Sequence, residues 1–225
     1  MGAIVNSVVV LFGSLFGLFM GQRIPERINK ALMQGIALVV LSIGITGILQ
    51  GGDSMIMILS MVFGILIGES IDFNSYVNRF VDWLSAKFQK DGTQSTFSQG
   101  FLSASMLFCI GSMAIVGSLE SGLLGDNSTL YTKSVLDGIS AILLSSTLGI
   151  GVALSSIPLL VYQGGLILFA QFLAPYLSDA VIIEMTTIGS LLLIGMGLNM
   201  LEITDIKVMN FVPAVFLPIL LMAFL

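Results

Sequence analysis

Two acidic residues lie in apolar, hydroxyl-rich stretches of the sequence, where a carboxylate needs a partner. Glu120 lies toward the end of the stretch 109–122, in which glycines are interleaved with hydroxyls. Backbone groups freed by glycine are tolerated at membrane depth where they line protein or a cavity. An unwound segment there, with Glu120 beside it, would suit a small cation or a proton. Its further candidate ligands are Gly111, Ser112, Gly117 and Ser118. The alternative is ordinary packing of small residues, with Glu120 already at the water interface.

Asp137 is the second candidate, near the outer end of the next apolar stretch. The centre of that stretch carries Ser145, Ser146 and Thr147. Carboxylates near the membrane interior are costly and usually face a cavity or a partner. We expect no Lys or Arg within these spans to neutralise Glu120 or Asp137, so the sequence predicts a monovalent cation or a proton as their partner. For the hydroxyls, bonding to the preceding helical turn is an equal alternative.

A faint internal repeat adds Thr46 and Asn199 to the candidates. A shift of 153 residues aligns 41–48 with 194–201, which places Thr46 on Asn199, and aligns Val62-Phe63 with Val215-Phe216. If the first three membrane spans recur as the last three of eight, the two copies run in opposite directions. Inverted repeats of this kind recur in secondary transporters, whose sites lie at the repeat interface.

The amino-acid composition indicates which kind of structure positions these residues. Of the 225 residues, 56% are hydrophobic and 9% charged, and the mean hydropathy is +1.05. Soluble domains carry about 25% charged residues. We therefore predict an all-α, polytopic membrane helix bundle and exclude a soluble enzyme, a disordered chain and, given a net charge of −5, a nucleic-acid partner. The chain has no His, so His ligation of a metal is unavailable, and we expect no cofactor, resident metal or catalytic residue.

Apolar runs predict eight transmembrane helices, each needing roughly 20 residues to cross the bilayer. The runs are 3–20, 31–49, 55–68, 97–119, 135–157, 158–173, 182–201 and 208–225. A turn or kink at Ser155–Pro158 separates the fifth from the sixth; merging them would leave seven. In one membrane domain, 1–225, this makes 1–70 repeat A, 71–96 a linker, 97–157 the central spans and 158–225 repeat B.

The linker and the basic residues predict the orientation. Within 77–90, Val77, Phe80, Val81, Leu84 and Phe88 share one helical face, which indicates an amphipathic helix in the cytoplasmic interface; a short solvated helix is the alternative. In the eight-span arrangement, Lys133 alone among the eight basic residues lies outside, so both termini are extracytoplasmic.

Small-residue spacing predicts close helix packing. Gly13, Gly17 and Gly21 share one face of the first span, and Gly64 and Gly68 repeat the spacing. Such faces are satisfied inside one subunit or by self-association into a homo-oligomer. Packing is the favoured interpretation over a functional role.

Several motifs together resemble the YdfK/YqgA-type bacterial inner-membrane family. They are Gly21–Arg27, the Gly/Ser-rich fourth span ending near Gly125-Asp126, Lys133–Asp137, Ser155–Leu160 and Asn210–Ala214. The resemblance covers nearly the whole chain. It implies a multi-pass protein of the bacterial cytoplasmic membrane, loosely labelled a transport protein, and supplies no substrate and no site residues.

The sequence thus favours a small secondary transporter or channel-like protein coupled to a monovalent cation or proton, with the lipid bilayer and a small ion or solute as partners. The alternative is a non-transporting scaffold or sensor that acts through the cytoplasmic linker. An intramembrane enzyme is disfavoured, because hydroxyls in glycine-rich helices are too common to indicate a serine nucleophile.

Overall fold

The computed structural model describes residues 1–21, 25–72, 74–77, 79, 83 and 94–224. Within these ranges all regular structure is helical, as the apolar runs predict. The helices are α1 (Gly2–Gly21), α2 (Glu26–Ile48), α3 (Ser54–Ile71), α4 (Gln94–Cys109), α5 (Ser112–Leu123), α6 (Ser128–Leu148), α7 (Gly151–Leu154), α8 (Ser156–Leu168), α9 (Ala170–Leu173), α10 (Asp179–Met200) and α11 (Val212–Phe224), the last preceded by a 3₁₀ turn, Val208–Phe211. Most of the proposed linker helix 77–90 lies outside the described residues.

Among the described residues, five helical segments are long and apolar enough to cross a membrane: Gly2–Gly21, Lys30–Ile48, Ser54–Ile71, Gly151–Leu168 and Asp179–Met200. A sixth crossing, bent by 58°, would combine Phe97–Cys109 with Ser112–Leu123. Of the remaining predicted spans, α6 has 21 residues but carries Lys133 and Asp137, and the last is a shorter apolar helix, Val208–Ala223. The chain is therefore a helical membrane protein.

The distribution of side chains agrees with a lipid surrounding. Phe12 and Val161 are 65% and 68% exposed, whereas Asn6 and Gln163 are fully buried. This places large apolar side chains outside and amides inside, which suits a protein whose surface meets acyl chains.

Two of the helix breaks at glycines with positive φ bear on the predicted spans. Gly111, at φ 131°, separates α4 from α5, where an unwound fourth span was hypothesised. Gly149, at φ 77°, ends α6, and the backbone is interrupted again at Ser155, between α7 and α8, where a turn or kink is predicted. At this second interruption the hydroxyls of Ser155 and Ser156 donate to Val152 O and Ala153 O. Pro158 lies in the first turn of α8, where its missing N–H is tolerated.

The chain forms two compact units. The first comprises Met1–Ile36, Val81–Cys109 and Met113–Phe172. Its α1 and α6 run parallel, because contacts between them keep one sequence separation: Gly2 N–H donates to Asn127 Oδ1, 125 residues on, and Gly13 faces Gly138 O at the same separation. The predicted Gly13-Gly17-Gly21 face lies in this contact, so packing is its role here.

The second unit comprises Ala37–Phe80, Ile110–Ser112 and Leu173–Leu225. Here α2 and α10 run antiparallel: Gly44 faces Ile194, and Gly52, farther along, faces Glu184. The pair α3 and α11 is antiparallel too, since Gly64 faces Ala214 and Gly68 faces Asn210. Asp53 caps α3 by accepting from Met55 N–H.

Candidate functional site

Four buried polar side chains from three helices meet inside the first unit. They are Asn6 of α1, Lys133 and Asp137 of α6, and Gln163 of α8, each at most 7% exposed. We call this set the polar cluster. The helices bring it together because α1 packs directly on α6 along the glycine face.

An ion pair forms the centre of the polar cluster. Lys133 Nζ lies 2.7 Å from Asp137 Oδ1 and 2.6 Å from Oδ2, across one turn of α6. Asn6 Nδ2 donates to Asp137 Oδ2 at 2.9 Å and to Gln163 Oε1 at 3.3 Å. The carboxylate therefore accepts hydrogen bonds from both an ammonium and an amide in a low-dielectric setting, where such bonds are strong.

Several atoms at and beside the polar cluster are left without a partner. Within the described residues, Asn6 Oδ1, Gln163 Nε2, Ser7 Oγ and Ser14 Oγ are buried and make no hydrogen bond. Leaving a buried donor or acceptor unpaired costs about 1–3 kcal/mol. An unpaired acceptor and an unpaired donor at one centre suit a small hydrogen-bonding guest, such as a water molecule.

The expectation that no Lys neutralises Asp137 was wrong. Lys133 was assigned to a loop because span five was predicted to begin at residue 135, whereas α6 begins at Ser128 and contains it. The i,i+4 spacing of Lys133 and Asp137 was the signal that could have found the pair. Asn6 and Gln163 were also missed in the sequence. A single amide inside an apolar run, like a charge there, indicates a side chain that faces the protein interior or a partner.

Glu120 lies apart from the polar cluster. It is half-buried near the end of α5 and accepts a hydrogen bond from Thr129 Oγ1 at 2.6 Å. Thr129 precedes Asp137 by eight residues of α6, about 12 Å along the helix. No hydrogen bond joins Glu120 to Asp137 in the described structure, so the two carboxylates hypothesised to share a vestibule have separate partners.

Most of the predicted hydroxyl ligands bond to their own helix, as the alternative held. The donors and their carbonyl acceptors are Ser118 to Ala114, Ser145 to Ile142, Ser146 to Leu143, Thr147 to Leu144 and Thr46 to Ser42. These bonds use each hydroxyl hydrogen locally. Ser112 begins α5 after the break at Gly111, and a Cβ at Gly117 would lie 2.9 Å from Thr129 Cγ2, which indicates close packing.

Asn199 holds the loop that follows α10 through side-chain hydrogen bonds. Its Oδ1 accepts from Thr204 Oγ1 at 2.7 Å and Ile206 N–H at 2.9 Å, and its Nδ2 donates to Ile206 O at 2.7 Å. These bonds close the loop that follows α10. The structure thus gives Asn199 and Thr46 different surroundings, despite their alignment in the repeat.

Comparison with known proteins identifies relatives over nearly the whole chain. The profile of DUF554, described as a protein of unknown function, matches residues 1–223. "Uncharacterized membrane protein YdfK" of Bacillus subtilis (strain 168) is 34% identical over 221 residues, covering 96% of this chain and 93% of that protein. "Uncharacterized protein YqgA" of Escherichia coli (strain K12) is 32% identical over 219 residues, with coverage of 96% and 93%. No solved structure matches.

Proposed function

The chain belongs to the DUF554 family of proteins of unknown function, and we propose that it is a small secondary transporter or channel-like protein coupled to a small cation at Asp137. The sequence left a monovalent cation and a proton open, and the ion pair favours the proton. A metal ion at Asp137 would have to displace an ammonium 2.6 Å away, whereas a proton needs no additional space.

The observation that carries this proposal is the buried Lys133–Asp137 pair. Adding a proton to the Asp137 carboxylate removes the charge that holds the Lys133 ammonium and leaves that ammonium buried without a counterion. Breaking a buried pair in this way is worth about 3–5 kcal/mol. A change of that size is enough to shift a two-state conformational equilibrium, which is what coupling requires.

The unpaired amide atoms support the same assignment. Asn6 Oδ1 and Gln163 Nε2 lie in the shell around the pair and can hold a water molecule that carries the proton to or from the carboxylate. A purely structural ion pair would not need two adjacent amides with a donor and an acceptor that make no hydrogen bond.

The protein we propose is one of the bacterial cytoplasmic membrane, and its helix contacts support an inverted repeat. The 153-residue shift turns Leu41 into Ile194 and Gly44 into Gly197. Gly44 faces Ile194 and, reciprocally, Gly197 faces Leu41: a Cβ added at either glycine would lie 2.7 Å from that neighbour's side chain. Reciprocal contacts of this kind are typical of a two-fold axis.

The direction of the helices supports eight spans over seven. If every span crosses fully, α2 and α10 are spans two and seven of eight and must be antiparallel, as their contacts are. In a seven-span chain, with the fifth and sixth spans merged, α2 and α10 would instead be parallel.

The test is proton flux into liposomes that contain the purified protein and a trapped pH-sensitive dye. We expect flux from the wild type, and a loss of tenfold or more in Asp137→Asn and Lys133→Met. The matched control is Lys207→Gln, at an exposed position, which should keep the flux. Absence of proton and monovalent-cation flux in the wild type, or unchanged flux in Asp137→Asn, would contradict the proposal.

Deleting residues 77–90 separates the transporter from the scaffold or sensor acting through its linker. A transporter that works through the polar cluster keeps flux after the deletion. A signalling scaffold instead loses its partner and shows no flux in either form.

A further inference from the structure

Glu184 is a buried carboxylate in the second unit that the motifs of the sequence did not single out. It lies in the second turn of α10 and is 5% exposed. The ion pair recorded within the described residues is Lys133–Asp137, so Glu184 has no Lys or Arg partner there. A buried carboxylate without a basic partner needs other groups to offset its charge, and a bound cation is one that can do so. Glu184 is thus the carboxylate in an apolar setting, without a basic partner among the described residues, that the sequence led us to expect at Asp137.

The two oxygens of Glu184 differ in their surroundings. Oε1 accepts a hydrogen bond from the Asp53 N–H at 2.6 Å, which fixes the carboxylate against the turn between α2 and α3. Oε2 is buried and makes no hydrogen bond within the described residues. The carboxylate is thus held in place by one oxygen while the other remains available to a ligand.

Two further oxygens belong to residues that surround Gly52, next to the Glu184 carboxylate. Thr187, one helical turn after Glu184, donates its hydroxyl to Gly51 O at 3.4 Å. A Cβ at Gly52 would lie 2.9 Å from Glu184 Oε2 and 3.1 Å from Thr187 Oγ1, so both side-chain oxygens border the space beside this glycine. Carboxylate, hydroxyl and carbonyl oxygens are the ligands that hard cations prefer.

We propose that Glu184 Oε2, Thr187 Oγ1 and Gly51 O form a binding site for a monovalent cation such as Na⁺. One carboxylate balances one positive charge. The neighbouring Asp53 side chain is exposed and caps α3 through Met55 N–H, so Glu184 supplies the one buried carboxylate of this site. The site lies within the second unit and does not depend on the Lys133–Asp137 pair.

The experiment measures equilibrium binding of radioactive Na⁺ to the purified full-length protein in detergent, with choline as the replacement cation. We expect saturable binding to the wild type. Glu184→Gln removes the anionic ligand and Gly52→Ala places a methyl group against Oε2, so each should weaken binding by about tenfold or more. Gly35→Ala is the matched control, because a Cβ there meets nothing within 4 Å.

The outcomes separate the alternatives. Loss of binding in Glu184→Gln and Gly52→Ala, with binding kept in Gly35→Ala, supports the site. If Glu184→Gln fails to fold, Gly52→Ala alone decides, because it leaves the carboxylate in place. Absence of saturable Na⁺, Li⁺ and K⁺ binding to the wild type overturns the proposal. Binding that persists in a folded Glu184→Gln protein overturns it as well. Asp137→Asn should keep Na⁺ binding whatever its proton flux, so failure of either proposal is recognised separately.

Discussion

At the scale of single residues, the first unit contains a charge pair whose members depend on each other. Lys133 and Asp137 are both almost fully buried, and Asn6 supplies a further hydrogen bond to the carboxylate. Each charge is tolerable only while the other is present, because an unpaired ion in this environment is poorly solvated.

We therefore expect Lys133→Met and Asp137→Leu to destabilise the fold singly by about 3–5 kcal/mol, and the double variant to be much closer to wild type. The measurement is reversible unfolding in mixed micelles, with Lys207→Gln as the control. Additive losses in the double variant would show that the two charges do not interact.

Asn199 is the residue for which sequence and structure suggest different roles. Because it makes three hydrogen bonds to the loop after α10, Asn199→Leu should lower stability by about 1–3 kcal/mol and speed amide exchange across residues 201–206. Proton flux should persist in the folded fraction. If proton flux is lost while amide exchange across residues 201–206 is unchanged, Asn199 acts as an ion ligand instead.

At the scale of helices, glycine faces set how closely neighbouring helices approach. A Cβ at Gly13 would lie 2.8 Å from the Gly138 carbonyl oxygen, and Gly17 and Gly21 face Ile142 and Ser146 backbone atoms in the same way. These neighbours are main-chain atoms, which cannot rotate away as a side chain can.

Gly13→Ala should consequently destabilise the protein by about 1–3 kcal/mol through overpacking. Gly35→Ala, in a helix with open space around the glycine, should be neutral or stabilise by up to about 1 kcal/mol. Thermal unfolding of the two variants side by side is the measurement. Equal stability of both would contradict the close α1–α6 contact.

At the scale of the whole molecule, the proposed eight-span topology makes a labelling prediction. Arg27 and Lys207 are exposed and should lie on the cytoplasmic side, while the exposed Asp126 should lie on the outer side. In a Cys109→Ala background, single cysteines at these positions should react with a membrane-impermeant maleimide on intact cells only at position 126. Labelling at position 207 without permeabilisation would instead favour seven spans.

The sequence by itself determined the class of the protein and most of its helices. Run length and hydropathy are local properties, so the apolar stretches identified a membrane protein, and the predicted spans one, two, three and seven correspond closely to α1, α2, α3 and α10. Glycine spacing correctly identified packing faces, since a face of one helix is a matter of period alone. Family resemblance was also carried by local motifs, and the matches over residues 1–223 confirm it.

Only the tertiary structure decided which polar groups have partners. Local i,i+4 spacing can suggest the Lys133–Asp137 pair, but it does not show which groups from other helices reach Asp137 or Glu184. The Asn6–Asp137 and Asp53–Glu184 hydrogen bonds each join residues 131 positions apart. Such contacts depend on which helices pack together and in what register, and the apolar pattern leaves both undetermined, because lipid and a neighbouring helix satisfy an apolar face equally well.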